Sequence, residues 1–139
     1  MATPATSSIE PLLDGLADRI ARRDLPPPVA DPYAPAQVMK RLSAALKVLD
    51  PVRNRRGRHS QGKMLLQYLE HEAQTAADLA RAAGIGRVAG SRAHGQLVAV
   101  GLLRWAYEGP RRVYRLTRWG EDWLLALGRN ERLPERPAG

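Results

Sequence analysis

Glycine and proline divide residues 75–117 of this chain into short segments, and their spacing is the strongest constraint on its fold. Gly84 and Gly101 each follow a segment with helical apolar spacing, at the position where helices most often end. The pair Gly109-Pro110 separates two stretches that favour β-structure, which predicts a hairpin. The segment is therefore predicted to form two helices followed by a hairpin.

Apolar residues at intervals of three and four predict further helices on both sides of this segment. Thr75 is predicted to cap one short helix, because Asp78 follows three residues later as in a capping box. Tyr114 alternates with Val113 and Arg115, which predicts burial of one side of the second strand. The predicted fold is mainly α with a small β-hairpin, with helices at 9–21, 36–49, 60–72, 75–83, 87–100 and 119–127 and strands at 102–108 and 113–117.

Composition changes along the chain predict three regions. Residues 1–35 form a flexible N-terminal region with one helix and a linker rich in proline from Pro26 to Pro35. Residues 36–127 form the main domain, and residues 128–139 form a frayed tail.

Positive charge is concentrated in one part of the chain. Residues 53–119 hold 13 Lys or Arg against four Asp or Glu, a net charge of +9, whereas the whole chain carries +8. Residues 1–52 hold six of each sign, and residues 120–139 hold three basic and four acidic residues. A localised basic segment favours a polyanionic partner, while a merely soluble basic surface is the simpler alternative.

The composition also argues against several classes of function. The chain has no cysteine, which excludes disulfides, thiolate metal sites and a cysteine nucleophile and fits a reducing cytoplasm. The N-terminus lacks the pattern of a secretory signal, and no apolar run reaches the length of a membrane span. We find no phosphate loop, nucleophile elbow or metal-ligand spacing, so we predict no enzyme activity, no cofactor and no metal.

Part of the chain resembles a known superfamily. The stretch Thr75–Ile85, the sequence Gly101-Leu-Leu-Arg104 and the ending Tyr114-Arg-Leu-Thr-Arg-Trp-Gly120 are similar to the winged helix-turn-helix of bacterial MarR-, PadR- and ArsR-like regulators. The resemblance covers residues 60–127. It implies three helices around a small core, a two-stranded wing, a trailing helix and a DNA-binding role. In this third helix, Gly90 and His94 replace the usual apolar residues.

The resemblance places the helix 87–100 in the major groove of DNA as the recognition helix. Arg87 and Arg92 are then candidates for bidentate contacts to guanine, Gln96 for adenine, and Ser91 for a base or a phosphate. The alternative is a solvated helix face. His94 is expected to point inward as a satisfied, partly buried histidine.

Two further basic clusters are candidate DNA contacts. Arg111 and Arg112 stand at the tip of the hairpin 104–117, where a wing can enter or flank the minor groove. The segment 53–59 is predicted to be a basic loop that either clamps phosphates or is an ordinary charged linker, and its arginines are Arg53, Arg55, Arg56 and Arg58.

Four aromatic side chains could stack on bases, but their positions favour a place in the core. Trp119 and Trp123 are four residues apart on one predicted helix, and Tyr107 can pair across the hairpin. Trp105 is the fourth member of this set.

These observations predict a DNA-binding transcriptional regulator in the cytoplasm, associated with the nucleoid. We expect it to bind double-stranded DNA at an inverted repeat as a homodimer and to act as a repressor. The helices 9–21 and 36–49 are the predicted dimerisation elements, unless they pack on their own chain. The alternatives are a non-specific architectural binder of DNA or RNA and a winged-helix adaptor between proteins.

Overall fold

The computed structural model of the chain describes residues 8–25 and 31–138. It separates into two units, Met1–Ala30 and Asp31–Gly139. The described residues are mainly helical and include one two-stranded antiparallel hairpin, as predicted. The elements are α1 (Glu10–Asp24), α2 (Pro35–Leu49), α3 (Arg55–Gln67), α4 (Ala76–Ala83), α5 (Arg87–Ala99), β1 (Leu103–Glu108), β2 (Arg111–Leu116) and α6 (Arg118–Gly128).

Helix α1 forms the described part of the first unit. Glu10 in its first turn and Arg22 and Arg23 in its last turn have the charges that suit the helix dipole. One side of the helix carries five apolar side chains, all exposed: Ile9, Leu12, Leu13, Leu16 and Ile20. Residues 26–30 of the predicted proline-rich linker lie outside the described residues, and Pro35, its last predicted residue, begins α2.

The second unit has one hydrophobic core, built mainly from leucine because the chain has no phenylalanine. Helix α3 lies centrally and packs against α2, α4 and α5. Burial of a leucine-sized side chain stabilises the fold by roughly 2 kcal/mol. The fully or nearly fully buried side chains come from five helices, the α5–β1 connection and the start of β1: Leu42, Leu46, Met64, Leu65, Leu79, Leu97, Leu102, Leu103 and Trp123.

Helix α3 begins earlier than predicted, so the prediction of a basic loop at 53–59 is wrong. The side-chain oxygen of Asn54 accepts a hydrogen bond from the backbone N–H of Gly57 at 2.8 Å. This cap fixes the first turn of α3 at Arg55. Three of the four arginines of the segment therefore lie on a helix.

A threonine cap and a glycine set the two ends of α4, as predicted. The Thr75 hydroxyl accepts a hydrogen bond from the backbone N–H of Asp78 at 3.2 Å. Asp78 itself pairs with Arg81, so only half of the capping box forms. Gly84 ends the helix with a φ of 71°, in the left-handed region that glycine tolerates.

Gly90 explains how closely α4 and α5 approach. A Cβ atom at Gly90 would lie 2.5 Å from the Cβ of Ala80, which is far inside van der Waals contact. A Cβ at Gly95, on the same helix, would meet no atom within 4 Å. Close helix packing therefore accounts for Gly90 and leaves Gly95 without an internal reason.

The hairpin continues the core at its base and leaves it towards its tip. Leu103 pairs with Leu116 and Trp105 pairs with Tyr114. The backbone N–H of Tyr114 also donates to Gln74 at 3.0 Å, which ties β2 to the residues before α4. The predicted one-sided burial of β2 is wrong, because Val113 and Tyr114 are both buried.

The C-terminal part of the unit is held by long-range contacts. The guanidinium of Arg41 donates to the carbonyl of Pro32 at 2.6 Å and to that of Leu127 at 3.0 Å, so it caps the end of α6. The indole N–H of Trp119 donates to the carbonyl of Pro134 at 3.1 Å, and Leu133 packs against the core. The prediction of a frayed tail is therefore wrong for these residues.

Candidate nucleic-acid interface

The outward face of α5 is a helical surface that the core leaves uncovered. Around the helix axis, at about 100° per residue, its residues follow one another over an arc of about 140°. In order, the exposed residues of this arc are Arg87, Ser91, Gly95, Val88, Ala99 and Arg92, and the exposed Ala89 follows beyond Arg92. The two arginines thus stand at opposite edges of the arc, with small or apolar side chains between them.

A shallow groove of about 630 Å³ runs between α5 and the start of α3. Arg92 and Val88 lie on the α5 side, and Arg53 and Arg56 lie on the α3 side. The lining residues include no carboxylate, so the groove has a positive potential. Arg56 and Arg92, predicted as separate candidates, are therefore brought to one surface.

A series of hydrogen-bonded polar side chains lies beneath this groove. It engages two of the predicted DNA-contacting residues, Arg53 and Gln96. Arg53 pairs with the Asp50 carboxylate at 3.0 Å, and the same carboxylate accepts from the buried Gln61 amide at 3.2 Å. The Gln61 amide also donates to the side-chain oxygen of Gln96 at 2.8 Å. Gln96 is half-buried and lines the groove, but its side-chain oxygen is taken by Gln61, so it is not free for the two-atom contact to adenine that was predicted.

The other two arginines of the basic segment face α2. Arg55 and Arg58 line a groove of about 900 Å³ between α2 and α3, together with Lys40 and Lys47. Arg58 folds back, and its guanidinium donates to the carbonyl of Arg53 at 2.6 Å. Arg56 lines both grooves, so positive charge is continuous from α5 across the start of α3 to α2.

Arg87 occupies a different place from Arg92. It lies beside α4, where Ala77, Ala80 and Ile85 line a shallow depression with it. The two arginines therefore cannot both reach into the α3–α5 groove. They flank the α5 face instead.

His94 is buried on the inner face of α5, as predicted. The Gly90 carbonyl can only accept, so the Nδ1–H of His94 donates to it at 3.1 Å, and Nε2 accepts from the Tyr68 hydroxyl at 3.1 Å. Burial lowers the pKa of His94, and the bond to Gly90 opposes this only in part. Burial, with a smaller contribution from Tyr114, raises the pKa of Tyr68. This inner cluster is neutral and holds α3, α5 and β2 together.

The hairpin surface differs from the prediction. Trp105 is 39% exposed and Tyr107 is 64% exposed, so these two aromatic residues are not in the core, whereas Trp119 and Trp123 are. The guanidinium carbon of Arg112 lies 4.1 Å from the centre of the Trp105 ring. Arg111 is exposed at the start of β2, next to the tip as predicted.

Val88 is a candidate that the sequence analysis missed. It is 71% exposed between the two arginines of α5. A branched apolar residue at an outward helical position was the available signal. Such a side chain can contact the methyl group of thymine in the major groove.

Residues 8–25 and 31–138 show no sign of a metal site or of a membrane-spanning helix. These residues contain no group of three side chains that could hold a metal ion. None of their helices is both long and apolar enough to cross a membrane.

Comparisons with known proteins give a likeness in fold. The chain is similar to the crystal structure of RV1404 from Mycobacterium tuberculosis, with a TM-score of 0.50 and 17% sequence identity. The match covers 88% of this chain and 73% of that one. No family model matches the chain, and no curated protein matches it.

Proposed function

We propose that residues 31–138 form a winged helix-turn-helix domain that binds double-stranded DNA in a sequence-specific manner and regulates transcription. The observation that carries this proposal is the exposed α5 face, bordered by the basic groove that Arg92 shares with Arg56. An exposed helix face with flanking cations has the charge and the side chains that the major groove and its phosphates accept.

The α5 face divides the work between its residues. Arg92 and Arg87, at its edges, reach guanine or the phosphates of opposite strands, and Ser91 adds a polar contact. Val88 contacts a thymine methyl group. Gly95 lets the backbone approach the DNA closely, since a Cβ there would meet no protein atom within 4 Å.

The regulator acts as a homodimer on an inverted repeat, because one recognition helix reads only a few base pairs. Helix α2 uses Leu42 and Leu46 in the core of its own unit. The apolar side of α1, from Ile9 to Ile20, is exposed and is therefore the better dimerisation element. A dimer that covers the promoter acts as a repressor.

The first experiment is a selection of binding sites from random duplex DNA at about 150 mM salt, followed by affinity measurements on the recovered site. We expect one palindromic duplex to bind at least about 1,000-fold more tightly than random duplex. Weak, uniform recovery that disappears with added salt would instead identify an architectural binder.

Substitutions locate the interface on the selected duplex. Arg92→Ala is expected to lower the affinity about tenfold and, if Arg92 contacts a phosphate, to reduce the slope of log affinity against log salt by about 1. Arg118→Ala is the matched control, because Arg118 is an exposed arginine at the start of α6 and its loss changes net charge equally. Equal effects of the two variants would contradict the interface.

The thymine contact has its own test. Deoxyuridine in place of thymidine removes only the methyl group, and we expect it to weaken binding of the unmodified protein several-fold. Val88→Ala should abolish this difference between the two duplexes. If the variant keeps the full difference, Val88 does not contact the methyl group.

A further inference from the structure

The tip-side part of the hairpin carries an exposed aromatic cluster that duplex reading by α5 does not use. The rings of Trp105 and Tyr107 are 5.3 Å apart and meet edge to face, at an interplanar angle of 81°. Arg112 lies over the Trp105 ring, and its guanidinium carbon is 6.0 Å from the Tyr107 ring centre. The two aromatic rings and the guanidinium group, which are all planar, thus form one compact cluster at the surface.

The strand register explains why these rings leave the core. Leu103, Trp105 and Tyr107 share one face of the hairpin with Tyr114, and Leu103 and Tyr114 are buried. Exposure then rises to 39% at Trp105 and 64% at Tyr107 as the hairpin extends beyond the helices. The cluster is thus a continuation of the apolar face that the protein itself does not cover.

The charge around the cluster selects its partner. The hairpin carries four arginines, Arg104, Arg111, Arg112 and Arg115, against the single acidic residue Glu108. Arg115 pairs with Glu108, whereas Arg112 lies over the Trp105 ring and carries a full positive charge, as every arginine does at ordinary pH. Exposed aromatic rings among cations match a ligand that combines planar rings with negative charge.

We propose that this cluster of Trp105, Tyr107 and Arg112 stacks on an unpaired nucleobase, and that the protein binds nucleic acid with unpaired bases at this surface. Aromatic side chains and guanidinium planes both stack on bases, and stacking tolerates any base because every base has a flat face. The site goes beyond the proposed function, since a base in a closed duplex has no accessible face.

Trp105 provides a direct reporter for the test. It is the exposed tryptophan, because Trp119 and Trp123 are 8% and 2% exposed. Stacking of a base on an indole ring quenches its fluorescence, so oligothymidylate added to the full chain should quench the emission. An oligomer of the same length without bases has the same phosphates and should not quench it. Equal quenching by both, or quenching by neither, would overturn the proposal.

A variant that keeps the reporter measures the energetic contribution. Tyr107→Ala should weaken binding of oligothymidylate about tenfold, while Tyr107→Phe should keep it, because only the ring is needed. Tyr33→Ala is the matched control, since Tyr33 is 65% exposed and lies outside the hairpin. If Tyr107→Ala and Tyr33→Ala bind with the same affinity, the stacking surface is refuted.

The result is independent of duplex binding by α5. Arg92→Ala should leave the quenching by oligothymidylate unchanged. Quenching without any preference among duplexes would overturn the regulator and support the stacking surface. Tight duplex binding without quenching would do the reverse.

Discussion

Helix α5 carries one glycine on each of its two faces, and the two glycines stand in different surroundings. Gly90 is on the inward face with His94, where Ala80 and Tyr68 fix both residues. Gly95 is on the outward face with Ser91 and Arg92, where the protein supplies no neighbour within 4 Å of its Cβ position. Close packing against Ala80 explains why glycine stands at position 90. No contact within the protein explains glycine at position 95, so its reason is either a bound partner or none.

The two faces of α5 have different roles: the inward face holds the fold together, and the outward face is free to contact a partner. On the inward face, each unusual residue has a contact that replaces the expected apolar side chain. On the outward face, Val88 and the two arginines gain nothing from the core. Substitutions on the two faces should therefore change different measured quantities.

The largest effect is expected at Gly90. Gly90→Ala places a methyl group 2.5 Å from the Ala80 Cβ, and the free energy of unfolding should fall by about 2 kcal/mol because α4 and α5 must separate. Gly95→Ala is the control on the same helix and should raise stability by about 0.5–1 kcal/mol, since alanine favours a helix. Denaturant unfolding measures both. The same sign for both variants would contradict the difference between the faces.

A pH effect should follow from the inward face. His94 has a lowered pKa, so the unfolded chain takes up a proton near pH 6.5 and the folded chain does so only at lower pH. Stability is therefore complete above pH 6.5 and falls below it by up to about 1.4 kcal/mol per pH unit, until the folded group titrates. Unfolding curves at several pH values measure this slope. His94→Gln should remove most of it, and an unchanged slope would exclude His94 as the cause.

Gln96 lies at the border between the two faces. Gln96→Ala should lower stability by about 1 kcal/mol, because the buried Gln61 loses a hydrogen-bond partner. The base preference of the selected duplex should not change. A double-mutant cycle with Gln61→Ala measures the coupling energy, and a change in base preference without loss of stability would restore Gln96 as a base reader.

The smallest effect on stability is expected at the outward face. Arg92→Ala should change the free energy of unfolding by less than about 0.5 kcal/mol, because the side chain is exposed and lies outside the core. The thermal midpoint of the variant, measured beside that of Arg118→Ala, provides the check. A substantial loss of stability would assign Arg92 to the inward group.

The sequence predicted the elements that begin or end with a strong local signal. Thr75, Gly84 and Gly109 mark boundaries where a side-chain cap or a positive φ is required, and the structure has them there. The start of α3 was missed because its first turns carry no apolar side chain, so the spacing of apolar residues could not indicate a helix there. Asn54, the cap that decides this boundary, was the signal available.

The side-chain environments were harder to predict than the helices. Alternation predicted that Tyr114 is buried, but Val113 beside it is buried as well, and alternation could not show how far the helices extend along the hairpin. Trp105 and Tyr107 therefore remained assigned to the core. The partner of Gln96 is Gln61, 35 residues away, and no local pattern reports such a pair. The basic character of the surface could be predicted from the sequence. That Arg56 and Arg92 line the same groove could be seen only in the folded structure.

The side chain of Arg41 has a consequence for the synthesis of the protein. Its guanidinium is separated by 86 residues from the Leu127 carbonyl that it contacts, so α2 can be fixed against α6 only after α6 has left the ribosome. The helices α2 to α5 and the hairpin also pack on partners nearer in sequence and can assemble before that moment. The docking of α6 on α2 is then a late event in the life of each nascent chain.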